Sequence, residues 1–265
     1  MINKKVEIKI HVPLNKNKLL EKVIKKINAE REIYSLWEVI NVNAIKRLGM
    51  SDHGPVHFQI VANIALRLAR ILKKEGIKMN IEKDFNLSYD HSEVVIFLAS
   101  ILHDLGMSIS REGHEEFSIF LTNNLLHQIL DFLPIKEKTI VISEVLHAII
   151  AHRSGGIPYT LEAGIVRVSD ALDMSEGRTR IPYESGKVDI YSISATAVNN
   201  VRIESGKVKA IRIVIEMNNS AGVFQVDELL RKKIKGSGIE KYVEIEAYVN
   251  EEERKLVKEF ILKDF

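Results

Sequence analysis

From about Lys16 to about Glu184 apolar residues recur at intervals of three and four. After about Gly186 they alternate, and that single change of period constrains the fold most. Leu19-Leu20, Val23-Ile24 and Ile27 form one helical stripe. Val61, Ile64-Ala65, Leu68 and Leu72 form another, on a helix expected from about Pro55 to Lys74, with Pro55 in the first turn and Ser51 or Asp52 as its cap. Further helices are expected near 91–104, 113–131, 137–152 and 160–175, and the polar stretch Gly76 to Asp90 reads as a loop. Beyond the switch, Val201-Ile203, Ser205-Gly206 and Val208 to Ile215 read as a hairpin. Residues 223–235 return to helical spacing, and Tyr242 to Val249 alternate. Near the start, Val6, Ile8, Ile10 and Val12 alternate with polar residues, so 5–12 is expected to be a strand joining the distal sheet. The fold class is therefore mainly α with a small C-terminal α+β domain. Its parts are an N-terminal strand and helix over 1–50, a helical body over 51–185, and the α+β domain with a helical tail over 186–265.

Composition removes several function classes. The chain has no cysteine, which excludes disulfides and thiolate metal sites. Any metal must be held by His, Asp and Glu, a donor set suited to Fe, Mn, Ni, Co, Zn or Mg. A formal net charge of +2 is too small to argue for nucleic acid or an anionic membrane as main partner. No apolar run approaches the roughly 20 residues that span a bilayer. The first residues lack the continuous apolar core of a signal peptide, so a cytoplasmic location is expected.

Eight of the nine histidines lie between residues 53 and 152, and six of them, His53, His57, His103, His114, His147 and His152, each fall near an expected helix end or face. His103-Asp104 ends an apolar run, and Gly106 helps end that helix. An imidazole beside a carboxylate suits a divalent metal, and the two oxygens of Asp104 could bridge two ions. The pair alone is equally readable as a polar helix end followed by a cap. Asp170 lies among Ile165, Val166, Val168, Ala171 and Leu172, where an uncompensated carboxylate is expensive to bury. Its remedy is either a metal or an ion pair with Arg167 or Arg178.

The order His57, His103-Asp104, Asp170 resembles the H…HD…D signature of the HD-domain phosphohydrolase superfamily. The contexts agree: HFQIVANIALRLA after His57, an apolar run before His103-Asp104, and SDALD at Asp170. The resemblance covers roughly residues 40–185 and implies an HD-type helical bundle. It implies that His57, His103, Asp104 and Asp170 bind one divalent ion, and that His114 and His152 hold a second. The stretch from AIIAHRSGG to LDMSEGR also resembles the branch that cleaves diadenosine tetraphosphate symmetrically. In another branch, the cyclic-di-GMP phosphodiesterases, paired histidines stand where this chain has Ala151-His152. His147 could supply that missing nitrogen, orient a ligand from behind, or simply be a buried histidine. Met107 stands where many relatives carry a lysine, which removes one phosphate contact.

The chemistry implied is hydrolysis of a phosphoester or phosphoanhydride by metal-activated hydroxide, with His103 and Asp104 at its centre. A small phosphorylated molecule, of nucleotide type, is the expected substrate. Arg153, Arg178 and Arg180 are arginines placed to bind phosphate, although each also fits a solvated surface. His53 reads as a substrate contact or a surface cap, Asp173 as an orienting partner of a ligand histidine, and Glu115 or Glu116 as a proton-transfer group. The alternative is a nucleotide-sensing regulatory protein with the same metal site, in which the C-terminal domain transmits a signal or builds an oligomer such as a homodimer.

Overall fold

The computed structural model describes residues 8–153, 155–174, 194, 196–249 and, as backbone, 259–262. The helical body contains α1 (Lys18–Ile27), α2 (Arg31–Asn41), α3 (Pro55–Lys74), α4 (Asn80–Phe85), α5 (Tyr89–Leu102), α6 (His114–Ile129), α7 (Ile135–Ala151) and α8 (Leu161–Leu172). Every residue of α5 from Ser92 to Leu102 is buried. A helix apolar on all sides belongs at the centre of a bundle, and α5 is packed by α1, α3, α4, α7 and α8. Its C-terminus consequently ends inside the protein. Trp37 on α2 fixes this end, with its ring 5.5 Å from Phe58 of α3 and its indole N–H donating to Ile101 O at 3.3 Å.

The C-terminal module is a four-stranded sheet in the order β1 (Val198–Ser205), β2 (Ile211–Met217), β3 (Val243–Val249), β4 (Glu259–Leu262). The β1–β2 hairpin is antiparallel, β2 and β3 are parallel, and β3 and β4 are antiparallel. Parallel neighbours require a crossover. A π-helical run Gln225–Leu230 continuing into α9 (Arg231–Ile234) supplies it. α9 lies against α8, while β1 and β2 touch α3.

Four expectations are corrected. Residues 8–12 are not in the sheet; Ile10 instead exchanges backbone hydrogen bonds with the Asn28 side chain, at 2.9 and 2.7 Å. Their alternation arises because Ile10 and Val12 enter the helical core, and the rest of 5–12 lies outside the described residues. The polar stretch 76–90 contains α4, whose N-terminal N–H groups on Asn80 and Ile81 donate to the buried Glu162 carboxylate at 3.1 and 3.0 Å. A cap supplied from α8 leaves no local sequence mark. Residues 259–262, expected within a helical tail, form β4. The α3 cap is also organised differently: Gly54 is the N-cap residue, and Asp52 accepts its N–H at 2.9 Å.

Candidate metal centre

His103 follows directly on α5, and Asp104 begins the 3-10 turn Leu105–Ser108. The last carbonyls of a helix have no intrahelical donor. His103 Nδ1 lies 2.9 Å from Ser100 O, and His152, following α7, repeats the device with Ile149 O at 2.5 Å. His114, opening α6, places Nδ1 2.9 Å from Arg111 O. A carbonyl only accepts, so each of these rings carries its proton on Nδ1 and presents the Nε2 lone pair to the interior. For His57, in the first turn of α3, the acceptor is the Asp173 carboxylate at 2.6 Å.

The four Nε2 atoms converge on two carboxylates. His57 and His103 lie 3.7 and 3.6 Å from Asp170 Oδ1. Asp104 Oδ2 is 3.6 Å from His103, and its other oxygen, Oδ1, is 3.1 Å from His114 and 3.6 Å from His152. The ligand atoms of His57, His103 and Asp170 form one group, all within 4.8 Å of one another. His103, Asp104 and His152 form a second, and His114, Glu115 and His152 a third. All of these side chains are buried or nearly so.

The donors fit a divalent cation. His103 Nε2 is fully buried and has no hydrogen-bond partner, and its lone pair faces carboxylate oxygens that also carry only lone pairs. A positive charge at the centre resolves that conflict. Burial opposes charge on His103, but Asp104 and Asp170 outweigh it and raise its pKa. Burial likewise works to raise the Asp104 carboxyl, and His103, His114 and His152 overcome it, holding the group well below the usual carboxylate range. Asp170 is depressed too, with burial opposed by Lys233, His103 and His152. For His152 burial dominates and its pKa falls.

Gly106 explains how α6 reaches this centre. A Cβ there would stand 1.9 Å from His114 O and 2.6 Å from Ser118 N, so only glycine permits the approach. Its N–H donates to Ser118 Oγ at 2.8 Å, pinning the first turns of α6 to the turn after Asp104.

The structure therefore brings His57, His103, Asp104, His114, His152 and Asp170 together. Asp173 stands behind His57 as described. His53 is buried with its ring 5.5 Å from that of His57, and its Nδ1 lies 2.8 Å from Ser51 O. His147 lies elsewhere: its ring stacks on Tyr159 at 4.7 Å and its Nε2 accepts the Tyr159 N–H at 2.9 Å, so it joins none of the three groups. Arg153 is turned to the surface, paired with Glu116 at 2.7 Å. Arg178 and Arg180 lie outside the described residues. Arg167 does not pair with Asp170; it donates to the carbonyls of Gly156 and Lys232. Glu115, expected beside His114, approaches its Nδ1 at 3.1 Å. Two contributions were not read from the sequence: Arg111 Nη1 lies 3.3 Å from both His114 ring nitrogens, and Lys233 Nζ lies 3.4 Å from Asp170 Oδ2. Lys233 carries no local signal, since it sits in a basic run (RKKIK) far along the chain.

Residues 56–175 match the HD domain family. The chain belongs to the HD-domain superfamily of metal-dependent phosphohydrolases. It is 40% identical over 223 residues to the uncharacterized protein MJ1020 of Methanocaldococcus jannaschii, covering 84% of this chain and 86% of that one. No solved structure matches it significantly. Among the described residues no helix is long and apolar enough to cross a membrane.

Proposed function

We infer that this chain is a hydrolase that cleaves a phosphoester or phosphoanhydride of a nucleotide-like substrate, using two divalent ions. His57, His103, Asp104 and Asp170 would hold one, and Asp104, His114 and His152 the other. The observation that carries this reading is the position of Asp104, whose two oxygens face different ligands, His103 on one side and His114 with His152 on the other. Bound there, such ions supply Lewis acidity, making water nucleophilic near neutral pH and neutralising charge on phosphoryl oxygens.

The chain's own groups supply positioning. Fixed Nδ1 protons keep four Nε2 lone pairs aimed inward, so little reorganisation is needed when the site fills. The depressed Asp104 and Asp170 carboxyls remain ionised throughout the neutral range. Glu115 lies beside His114 Nδ1, the nitrogen turned away from Asp104. The buried walls keep bulk water from screening these charges.

The test combines elemental analysis of the purified protein with a panel of nucleotides, cyclic dinucleotides and dinucleoside polyphosphates. Bound metal near two ions per chain and hydrolysis of at least one class are expected, with both lost in Asp104→Ala. Retention of metal and full activity by that variant would show the reading to be wrong. Hydrolysis confined to dinucleoside polyphosphates would assign the substrate suggested by the AIIAHRSGG likeness.

A further inference from the structure

We propose that Lys233, carried by the C-terminal module, is the cation that receives the substrate's phosphoryl oxygens, so that the module completes the catalytic site of the helical body. This rests on the reading of the site as a metal-dependent phosphohydrolase centre.

Lys233 Nζ donates to His152 O and lies 3.4 Å from Asp170 Oδ2. Asp170 thus divides its carboxylate: Oδ1 faces His57 and His103, and Oδ2 faces the ammonium. An ammonium has three donor protons, and among the described residues Lys233 Nζ meets two acceptors, His152 O and Asp170 Oδ2. Once the negative charge of Asp170 is committed to a divalent ion, the ammonium loses most of its counter-charge. It then sits beside added positive charge in a partly buried place, with its side chain 22% exposed. An anion is the ligand that relieves this arrangement, and a phosphoryl group held at the metals is the anion the proposed chemistry supplies.

Lys233 is also held in place. A Cβ on Gly164 of α8 would stand 1.9 Å from Ser237 O, so the chain after α9 lies directly on α8. The Arg167 guanidinium, 5% exposed as a residue, donates to Lys232 O, the carbonyl immediately before Lys233. Its two neighbours in that run are engaged elsewhere: Arg231 pairs with Asp227 and Lys232 with Glu228. The fold therefore selects one cation of a basic cluster and aims it at the metal ligands, while Arg153 is engaged at the surface by Glu116.

The experiment uses manganese-loaded full-length protein freed of excess metal, with inorganic phosphate as probe. Metal stoichiometry is measured by elemental analysis and phosphate affinity by calorimetry, for wild type, Lys233→Met, Lys233→Arg and Lys232→Met. Lys233→Met should keep its metal and bind phosphate about 10- to 100-fold more weakly, the loss of one charged hydrogen bond. Lys233→Arg should recover most of the affinity, and Lys232→Met should match wild type. Unchanged phosphate affinity in Lys233→Met would overturn the proposal and leave the metal-centre reading intact. Loss of metal from Lys233→Met would also overturn it, since the lysine would then serve only to hold Asp170. A wild type that binds no metal would overturn both.

Discussion

Replacing Asp173 tests the architecture of the centre without touching a proposed ligand. Its carboxylate accepts the His57 Nδ1 proton at 2.6 Å, with the two side chains only 4% and 1% exposed. In Asp173→Ala that donor is left in a dry place, at a cost of about 1–3 kcal/mol, and His57 becomes free to shift its proton or rotate. Loss of such an orienting partner weakens metal binding by about 10- to 100-fold, which is about 1.4–2.7 kcal/mol. The two figures overlap, as they should if one hydrogen bond is responsible. Asp173→Asn keeps the shape and one acceptor oxygen but removes the charge. Charge-assisted hydrogen bonds are roughly twice as strong as neutral ones, so about half the effect remains, a three- to tenfold weakening. Calorimetric titration of the metal-free proteins with manganese reads these values, and circular dichroism checks that each variant is folded. Wild-type affinity in Asp173→Ala would refute the reasoning, as would equal losses in the alanine and asparagine variants.

Gly106→Ala should displace the start of α6 and cost about 1–3 kcal/mol from overpacking, with chemical denaturation reading the stability and elemental analysis showing reduced metal content. Glu162→Ala removes the acceptor for the Asn80 and Ile81 N–H groups and should cost about 1–3 kcal/mol, with hydrogen exchange accelerated first in α4. Burial, reinforced by Glu162 and Asp84, pushes the Glu144 carboxyl from 4.5 up to about 7. Because the folded state favours the protonated form, this stability is fully present below 4.5 and is lost as pH rises through about 7. Glu144→Gln should accordingly melt higher than wild type at pH about 8, by on the order of 1 kcal/mol after allowing for partial exposure, and the gain should vanish near pH 4.5. A gain of equal size at both pH values would contradict the assignment.

The sequence by itself determined the elements whose cause is local or periodic. The apolar run ending at Leu102 marked a helix near 91–104 with the His103-Asp104 pair at its end, and the structure places that helix at the centre of the bundle. Asp170 was readable because a carboxylate among apolar residues needs a partner, and His57 through the resemblance of its context to the HD-domain signature. Contacts between segments distant in sequence were decided only by the tertiary structure. α4 is capped by Glu162 from α8, and segment 8–12 looks like a strand because two apolar residues enter a helical core. His147, spaced to share a face with Ala151, turns instead to Tyr159 in the segment before α8, which stacks on its ring and donates its N–H to it. Lys233 is the sharpest case. Periodicity marks which side of a helix is buried, but it cannot say which of several lysines a docked module will aim at a carboxylate in another domain. That choice was made by the Gly164–Ser237 approach and the grip of Arg167 on Lys232 O, both of which exist only once the chain has folded.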